Sequence, residues 1–284
     1  MEKEPRLTTL RAKHERLREN LAARGSLLIA YSGGVDSALL AVLAHDILGD
    51  ASACIFLDSP VVPRSAVDEA RRIAREYDLP LEVISVAHLS DPEFTKNPVQ
   101  RCYHCKKISA QVLKRKQKEL GFSAIADGMN VSDTGEHRPG IAASSEEGII
   151  HPFIEAGISK EDIRKIARER GCSFWDKPSA ACLSSRIPYG EAITEKNLHM
   201  IEEAEEYLAG LGIRQSRVRM HGTIARIEVM REDMPKVLTA GDDLIRNLKA
   251  LGFSYITLDL HGYRSGSMDE GIPKKPVSKK DTYA

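Results

Sequence analysis

Short apolar segments alternate with helical ones along the first two-thirds of the chain. The short segments have the length and apolar content of buried strands, and the longer segments repeat apolar residues at helical spacing. Strands are predicted near 27–31, 53–58, 81–86 and 124–127, and helices near 7–21, 37–48, 64–77, 105–120 and 159–170. This alternation predicts an α/β fold, a doubly wound parallel sheet with helices on both faces.

The pattern changes after a segment rich in Ser, Pro and Gly that precedes residue 195. The elements predicted beyond it are a helix at 195–208, a hairpin of 217–221 with 224–230, a helix at 234–251 and a strand at 255–260. We therefore expect a larger domain over 1–185, a smaller C-terminal α+β domain over 186–268 and a mobile tail over 269–284.

Composition restricts the class of protein. The 284 residues include 41 basic and 41 acidic side chains, and this balance argues against a general nucleic-acid binder, so no nucleic-acid partner is expected. No apolar run approaches the roughly 20 residues that cross a bilayer, and the N-terminus lacks a signal-peptide core. We expect a soluble, cytoplasmic protein without a membrane partner, whose five cysteines are reduced thiols.

A glycine-containing loop, Ser32-Gly-Gly-Val-Asp-Ser37, connects the first predicted strand to the next helix. Backbone amides at such a helix start attract anions, and glycine lets the backbone approach a phosphate. Asp36 would repel a phosphate unless a cation lay between them, so it suggests Mg²⁺. The loop is neither a Gly-Lys-Ser/Thr P-loop nor a G-x-G-x-x-G fingerprint. An ordinary turn is the alternative for an isolated glycine pair.

The cysteines fall into two groups. Cys54, within an apolar strand, and Cys172, after a helix end, have the setting of structural residues. Cys102 and Cys105 form a C-x-x-C at a helix start beside basic residues, where thiolate is favoured. An incomplete zinc site or a coincidence is the alternative for this pair, since structural zinc needs four ligands. Cys182 lies in a polar loop, KPSAACLSSRIPYG, among basic and hydroxyl side chains that suit an anionic substrate.

The loop from Ser32 to Ser37 resembles the PP-loop of the N-type ATP pyrophosphatases, the adenine nucleotide alpha hydrolase type of fold. Members split ATP between the α and β phosphates and adenylylate a substrate. The resemblance implies that the leaving pyrophosphate is bound by Ser32, Gly33, Gly34, Asp36 and Ser37. It places Asp58 and Ser59 near the nucleotide. It places Asp127, Asn130 and Asp133 beside the phosphates or Mg²⁺, with Asp36 and Asp133 as magnesium ligands.

Further motifs are similar to those of the LarE family of sulfur transferases, over about residues 26–268. They are RCYHCKK, DGMNVSDTGEHRPG, KPSAACLSSRIPYG and LDLHGYRSGSM. The resemblance implies that ATP adenylylates a carboxylate of a pyridinium dicarboxylate mononucleotide. A sulfur nucleophile then displaces AMP and leaves a thiocarboxylate, a step in nickel-pincer nucleotide synthesis.

The family supplies the sulfur in two ways. Either the cysteine at the position of Cys182 gives up its own sulfur, or three cysteines hold a 4Fe-4S cluster whose open iron carries sulfide. Since Cys102 and Cys105 accompany Cys182, we expect the cluster, with the sacrificial route as the competitor.

Arginines on the predicted hairpin complete the candidate site. Arg217 and Arg219 lie on one face of a strand, an arrangement also typical of a solvated sheet face. The resemblance assigns them to the phosphate of the substrate, and Ser185 and Arg186, near Cys182, to its carboxylate or adenylate. It also implies a homo-oligomer, described as a hexamer formed through the smaller domain. The alternatives are a tRNA-thiolating PP-loop enzyme, an ammonia-dependent amidating synthetase, and a non-enzymatic zinc or nucleotide-sensing module.

Overall fold

The structure is a computed structural model that describes residues 9–134, 139–178 and 181–270. The helices are α1 Leu10–Ala22, α2 Val35–Leu48, α3 Arg64–Glu76, α4 Pro92–Thr95, α5 Arg101–Leu120, α6 Val131–Thr134, α7 Pro139–Glu146, α8 Pro152–Glu155, α9 Lys160–Glu169, α10 Glu195–Gly210, α11 Met234–Thr239 and α12 Gly241–Leu251. The strands are β1 Leu27–Ala30, β2 Ser52–Asp58, β3 Leu81–Ser85, β4 Ala124–Asp127, β5 Ser216–His221, β6 Ile224–Val229 and β7 Tyr255–Leu258. The predicted tail lies outside the described residues from 271 on.

The first four strands form one parallel sheet in the order β3-β2-β1-β4. Successive apolar residues of β1 face opposite sides. Ile29 joins a core cluster with α1, α2, α3 and α9, whereas Leu28 packs in another cluster with residues of α5. The predicted parallel α/β fold with helices on both faces, and a second small sheet near the C-terminus, are confirmed.

The strand order places the functional loops. The chain moves outward from β1 through β2 to β3 and then returns to β4, on the other side of β1. Right-handed crossovers therefore put α2 and α3 on one face and α5 on the other. The order reverses between β1 and β4, and ligands of such sheets bind outside the carboxyl ends of the strands at this switch point. The loops after Ala30 and Asp127 meet there.

The described chain divides into two compact units. The first ends at Ser184 and includes Tyr189–Leu198, and the second consists of Ser185–Pro188 and the chain from His199 on. In the second unit β5 and β6 form the predicted antiparallel hairpin, and β7 adds parallel to β6. The prediction of one helix over 234–251 is wrong, because α11 ends at Thr239 and α12 begins at Gly241, a residue of low helix propensity.

No helix among the described residues has the length and apolar content to cross a bilayer.

Candidate active site

The loop after β1 is shaped by its two serines. Ser37 Oγ accepts a hydrogen bond from the Ser32 amide at 3.1 Å, lies 3.0 Å from Ser32 Oγ and donates to the Gly34 carbonyl at 3.2 Å. Gly34 is the N-cap of α2 with extended backbone angles, and Gly33 has a φ of 67°. Ser32 and Ser37 therefore hold the loop closed around the start of α2.

Successive backbone amides of this loop have no hydrogen-bond acceptor in the described part of the chain. Among the residues that the structure describes, none accepts a hydrogen bond from the amides of Gly33–Ser37. The amides of Val35–Ser37 open α2, where every helix leaves its first N–H groups without intrahelical partners. Together with the amides of Gly33 and Gly34 they form a run of donors that suits a multiply charged anion.

Two glycines allow close backbone approaches here. A Cβ on Gly33 would lie 2.7 Å from Ala70 Cβ, and a Cβ on Gly128 would lie 2.7 Å from the Ser37 amide nitrogen. Gly128 thus brings the loop after β4 against the first turn of α2. Gly128 is not among the residues predicted from the sequence, although its place directly after a predicted strand could have indicated it.

Asp36 lies in the first turn of α2 and forms an ion pair with Lys160, the first residue of α9. Asn130 Nδ2 lies 3.5 Å from the second carboxylate oxygen of Asp36. Burial raises the pKa of Asp36, Lys160 opposes this, and the charge of nearby Asp133 raises the pKa further. No pattern in the sequence links Lys160 to Asp36, which are 124 positions apart.

A magnesium ion at this place would depend on the carboxylates of Asp36 and Asp133. Asp133 accepts a hydrogen bond from the Asn130 amide at 3.1 Å, and its charge acts on Asp36 of α2. Within the described part of the chain, no group of three or more His, Cys, Asp or Glu side chains is arranged to hold a metal ion. A site with only two carboxylates still suits Mg²⁺, because that ion is usually bound by one or two carboxylates, with phosphates and waters completing its coordination shell.

Polar residues end the two strands that flank β1. Asp58, at the end of β2, receives two hydrogen bonds from Arg64 at 3.1 and 2.5 Å. The Ser59 hydroxyl is buried and has no hydrogen-bond partner among the described residues. Asp127, at the end of β4, lies 2.7 Å from His151 Nδ1 and accepts from the Met129 amide at 3.1 Å. Residues 135–138 of the same stretch lie outside the described ranges.

Cys102 and Cys105 lie at the start of α5, three positions apart and so on neighbouring parts of its surface. Burial raises the pKa of Cys105 to about 12, and the charges of Cys182 and Cys102 act in the same direction. The prediction that the helix start and basic neighbours favour thiolate is wrong for Cys105, because burial outweighs them. Cys54 and Cys172 are buried, as expected of structural residues.

Cysteine thiolates are the ligands that iron–sulfur clusters use, and Cys102, Cys105 and Cys182 supply three of them. Among the described residues, however, these thiols do not form a group that is arranged to hold a metal ion. Metal binding deprotonates a thiol, so the raised pKa of Cys105 describes the metal-free protein and makes cluster binding release a proton.

The segment before Cys182 is fixed to both α9 and the loop after β1. Arg164 of α9 donates to the carbonyl oxygens of Trp175 and Lys177 at 2.9 and 2.8 Å. Lys177 in turn donates to the Gly33 carbonyl at 2.8 Å. Residues 179 and 180 lie outside the described ranges, and the chain beyond them is held where Leu183 donates to the Val61 carbonyl at 2.8 Å.

The arginines predicted to bind substrate belong to the second unit. Arg186 is 2% exposed and forms two hydrogen bonds of 2.9 Å with Glu205. It also donates to Ser185 Oγ at 3.0 Å. Arg217 is buried, lies over the ring of Tyr263 at 5.3 Å and has its pKa lowered mainly by burial.

Arg219 is buried as well and pairs with Glu228 at 3.0 Å. The alternative of a solvated sheet face is therefore wrong for both Arg217 and Arg219. Glu228 is 0% exposed and also contacts Arg226 at 3.2 Å and Ser267 at 2.6 Å. Glu228 is not among the residues predicted from the sequence, although it lies two positions from Arg226 and so on the same face of β6.

Comparisons with known proteins bear on both units. The NAD synthase family matches residues 10–117. A pyridinium-3,5-bisthiocarboxylic acid mononucleotide synthase of Lactiplantibacillus plantarum is 35% identical over 273 residues, 96% of this chain and 99% of the relative. An uncharacterized protein of Synechocystis sp. is 38% identical over 267 residues, 93% of this chain and 100% of the relative. A tRNA-specific 2-thiouridylase of Herpetosiphon aurantiacus is 29% identical over 195 residues, 54% of each chain.

Proposed function

Because the chain belongs to the LarE family of pyridinium-3,5-bisthiocarboxylic acid mononucleotide synthases, we propose that it adenylylates a pyridinium dicarboxylate mononucleotide and converts the carboxylate to a thiocarboxylate. The chain is an enzyme of the PP-loop ATP pyrophosphatase family. The observation that carries the proposal is the run of unpaired amides at Gly33–Ser37, a site for the pyrophosphate that leaves ATP.

The first step activates a poor electrophile. A carboxylate oxygen of the substrate attacks the α-phosphorus of ATP, the bond from that phosphorus to the bridging oxygen breaks, and pyrophosphate leaves with the bond electrons. Negative charge develops on the leaving group, and the loop amides and the α2 dipole stabilise it without reorganising. Asp36 and Asp133 would hold Mg²⁺, which neutralises phosphate charge when bound, and Lys160 lies beside Asp36.

The second step transfers sulfur. A sulfur nucleophile attacks the acyl carbon, and AMP leaves with the former carboxylate oxygen. Cys102, Cys105 and Cys182 would hold a 4Fe-4S cluster, which supplies sulfide when it is bound. The presence of Cys102 and Cys105 in addition to Cys182 supports this route over sacrifice of Cys182 alone. Iron analysis of anaerobically purified protein, together with its intact mass after turnover, distinguishes the cluster route from the sacrificial route. About four irons and an unchanged mass support the cluster, and no iron with a loss of about one H₂S supports the sacrificial route.

The second unit supplies candidate residues for the mononucleotide. We propose that Arg217 and Arg219 bind its phosphate, which suits the planar guanidinium, and that Ser185 and Arg186 orient its carboxylate. Arg186 and Arg219 are paired with Glu205 and Glu228, so binding of the substrate's anionic groups would have to share or replace these carboxylates. The expected hexamer stays a prediction, to be measured by light scattering.

The nucleotide products test the proposal. The protein is incubated with ATP, Mg²⁺ and a pyridinium mononucleotide bearing two carboxylates, and nucleotides are separated by chromatography. We expect AMP and pyrophosphate only when the dicarboxylate is present; ADP and phosphate would contradict the proposal. Cys182→Ala should release pyrophosphate yet transfer no sulfur. Cys102→Ala should lose sulfur transfer on the cluster route alone. Dependence on added tRNA instead of the mononucleotide would favour a tRNA thiolase.

A further inference from the structure

Lys177 reaches from the segment before Cys182 to the backbone of the anion loop. Its ammonium group donates to the Gly33 carbonyl at 2.8 Å, and the side chain is only 18% exposed. The nearest carboxylate, that of Glu69, lies 3.9 Å away and is already engaged by two hydrogen bonds from Arg72 at 2.8 and 2.9 Å. The close partner of this half-buried cation is therefore a backbone oxygen of the loop and not a carboxylate.

The bond from Lys177 fixes the orientation of one peptide unit. In a trans peptide the C=O and N–H groups point in opposite directions, and the described chain has no cis peptide bond. With the Gly33 carbonyl turned toward Lys177, the Gly34 N–H is turned the other way, as one of the unpaired amides of the loop. A peptide between two glycines has unusually wide backbone freedom, so it needs such an external restraint.

The same lysine belongs to a segment that is anchored elsewhere. Arg164 binds the carbonyl oxygens of Trp175 and Lys177, so the backbone of this segment is tied to α9. Cys182 follows five positions after Lys177. Lys177 is therefore a direct hydrogen-bonded contact between the Gly33–Gly34 peptide and the stretch of chain that precedes Cys182.

We propose that Lys177 is a positioning residue that holds the Gly34 N–H toward the pyrophosphate site and joins this site to the Cys182 segment. This inference rests on the proposed function, because it requires that the loop bind the β and γ phosphates of ATP. It adds a residue that touches neither the transferred sulfur nor the reacting carboxylate, yet couples the nucleotide site to the sulfur site.

The first test compares ATP with AMP, which lacks the leaving pyrophosphate. Dissociation constants are measured by calorimetry for the wild type, Lys177→Met, Lys177→Arg and the control Lys165→Met, which alters an exposed lysine of α9. Loss of a hydrogen bond to a charged group should weaken ATP binding by about 10- to 100-fold in Lys177→Met. AMP binding should change by less than about twofold, and Lys177→Arg should recover part of the loss by retaining a cationic donor.

The outcomes separate the inference from the function on which it rests. A wild type that binds ATP no more tightly than AMP would overturn the pyrophosphate site itself. A wild type that prefers ATP, with the preference unchanged in Lys177→Met, would overturn only the role of Lys177. An equal loss of ATP and AMP binding would also overturn it, because that pattern indicates general structural damage. If Lys177→Met does not fold, Lys177→Gln is measured in the same way.

The second test addresses the link to Cys182, with inorganic pyrophosphate as the probe. The rate of Cys182 alkylation is followed by peptide mass spectrometry in metal-free protein, with and without pyrophosphate. We expect pyrophosphate to change this rate severalfold in the wild type and in Lys165→Met, and to leave it unchanged in Lys177→Met. A change of the same size in Lys177→Met would overturn the link.

Discussion

Gly33 gives the sharpest test of how the anion loop is built. A Cβ at this position would lie 2.7 Å from Ala70 Cβ and 3.0 Å from Ala70 Cα, and the residue has a φ of 67°. Gly33→Ala therefore adds two separate penalties, an unfavourable backbone conformation and an overlap with α3. Gly121, with a φ of 75° and no atom within 4 Å of the added Cβ, is a matched position where only the first penalty applies.

The two penalties have different magnitudes. The left-handed conformation costs about 1–2 kcal/mol for alanine, which is the whole effect expected of Gly121→Ala. Overpacking adds about 1–3 kcal/mol, so Gly33→Ala should lower the free energy of unfolding by about 2–5 kcal/mol. Since the loop must deform to relieve the overlap, ATP affinity should fall in Gly33→Ala and stay unchanged in Gly121→Ala.

Urea denaturation followed by circular dichroism measures these free energies. The Gly33→Ala and Ala70→Gly substitutions are made singly and together, because removing Ala70 Cβ removes the closest overlap. The double mutant should then be more stable than the sum of the single effects by about 1 kcal/mol or more. Equal losses in Gly33→Ala and Gly121→Ala, or strict additivity with Ala70→Gly, would refute the close approach of this loop to α3.

Three further predictions concern the cysteines, the second unit and α9. In metal-free protein at pH 8, Cys105 should be alkylated about a thousandfold more slowly than an ordinary thiol, because burial raises its pKa to about 12 and thiolate forms only as the pH rises toward that value. An alkylation rate like that of an ordinary thiol, measured by mass spectrometry, would contradict this prediction. Glu228→Gln should lower the free energy of unfolding, measured by thermal denaturation, by about 3 kcal/mol or more, since Arg219 is left buried without its carboxylate partner. A decrease below about 1 kcal/mol would argue against the buried pair. Ser159→Ala should cost about 1 kcal/mol by breaking the capping box with Asp162, whereas an unchanged melting temperature would count against that cap.

Much of the fold could be predicted because it depends on local patterns. Strands buried on both faces are nearly continuous apolar runs, so β1 and β2 were placed to within one residue. The capping box at Ser159 was also visible, as a spacing of three residues. The short helices α4, α6 and α8 were not predicted, because four residues carry no helical period.

The candidate site was less predictable because it depends on contacts between distant residues. The composition of the loop identified the anion site, but nothing in the sequence indicated that Lys160 pairs with Asp36 or that Lys177 binds the Gly33 carbonyl. The pKa of Cys105 was predicted to be lowered and is instead raised, because neighbouring basic residues are visible in a sequence and burial is not. The roles assigned to the predicted site residues stay predictions until substrate is bound.

The identity of the reaction product tests the central proposal most directly. The anaerobically purified protein is incubated with ATP, Mg²⁺ and the pyridinium dicarboxylate mononucleotide, and the product is analysed by mass spectrometry. We predict a product in which sulfur replaces one carboxylate oxygen, formed by the wild type and absent with Cys182→Ala. An amide formed with ammonia, or an unmodified mononucleotide despite release of pyrophosphate, would contradict sulfur transfer as the function of this chain.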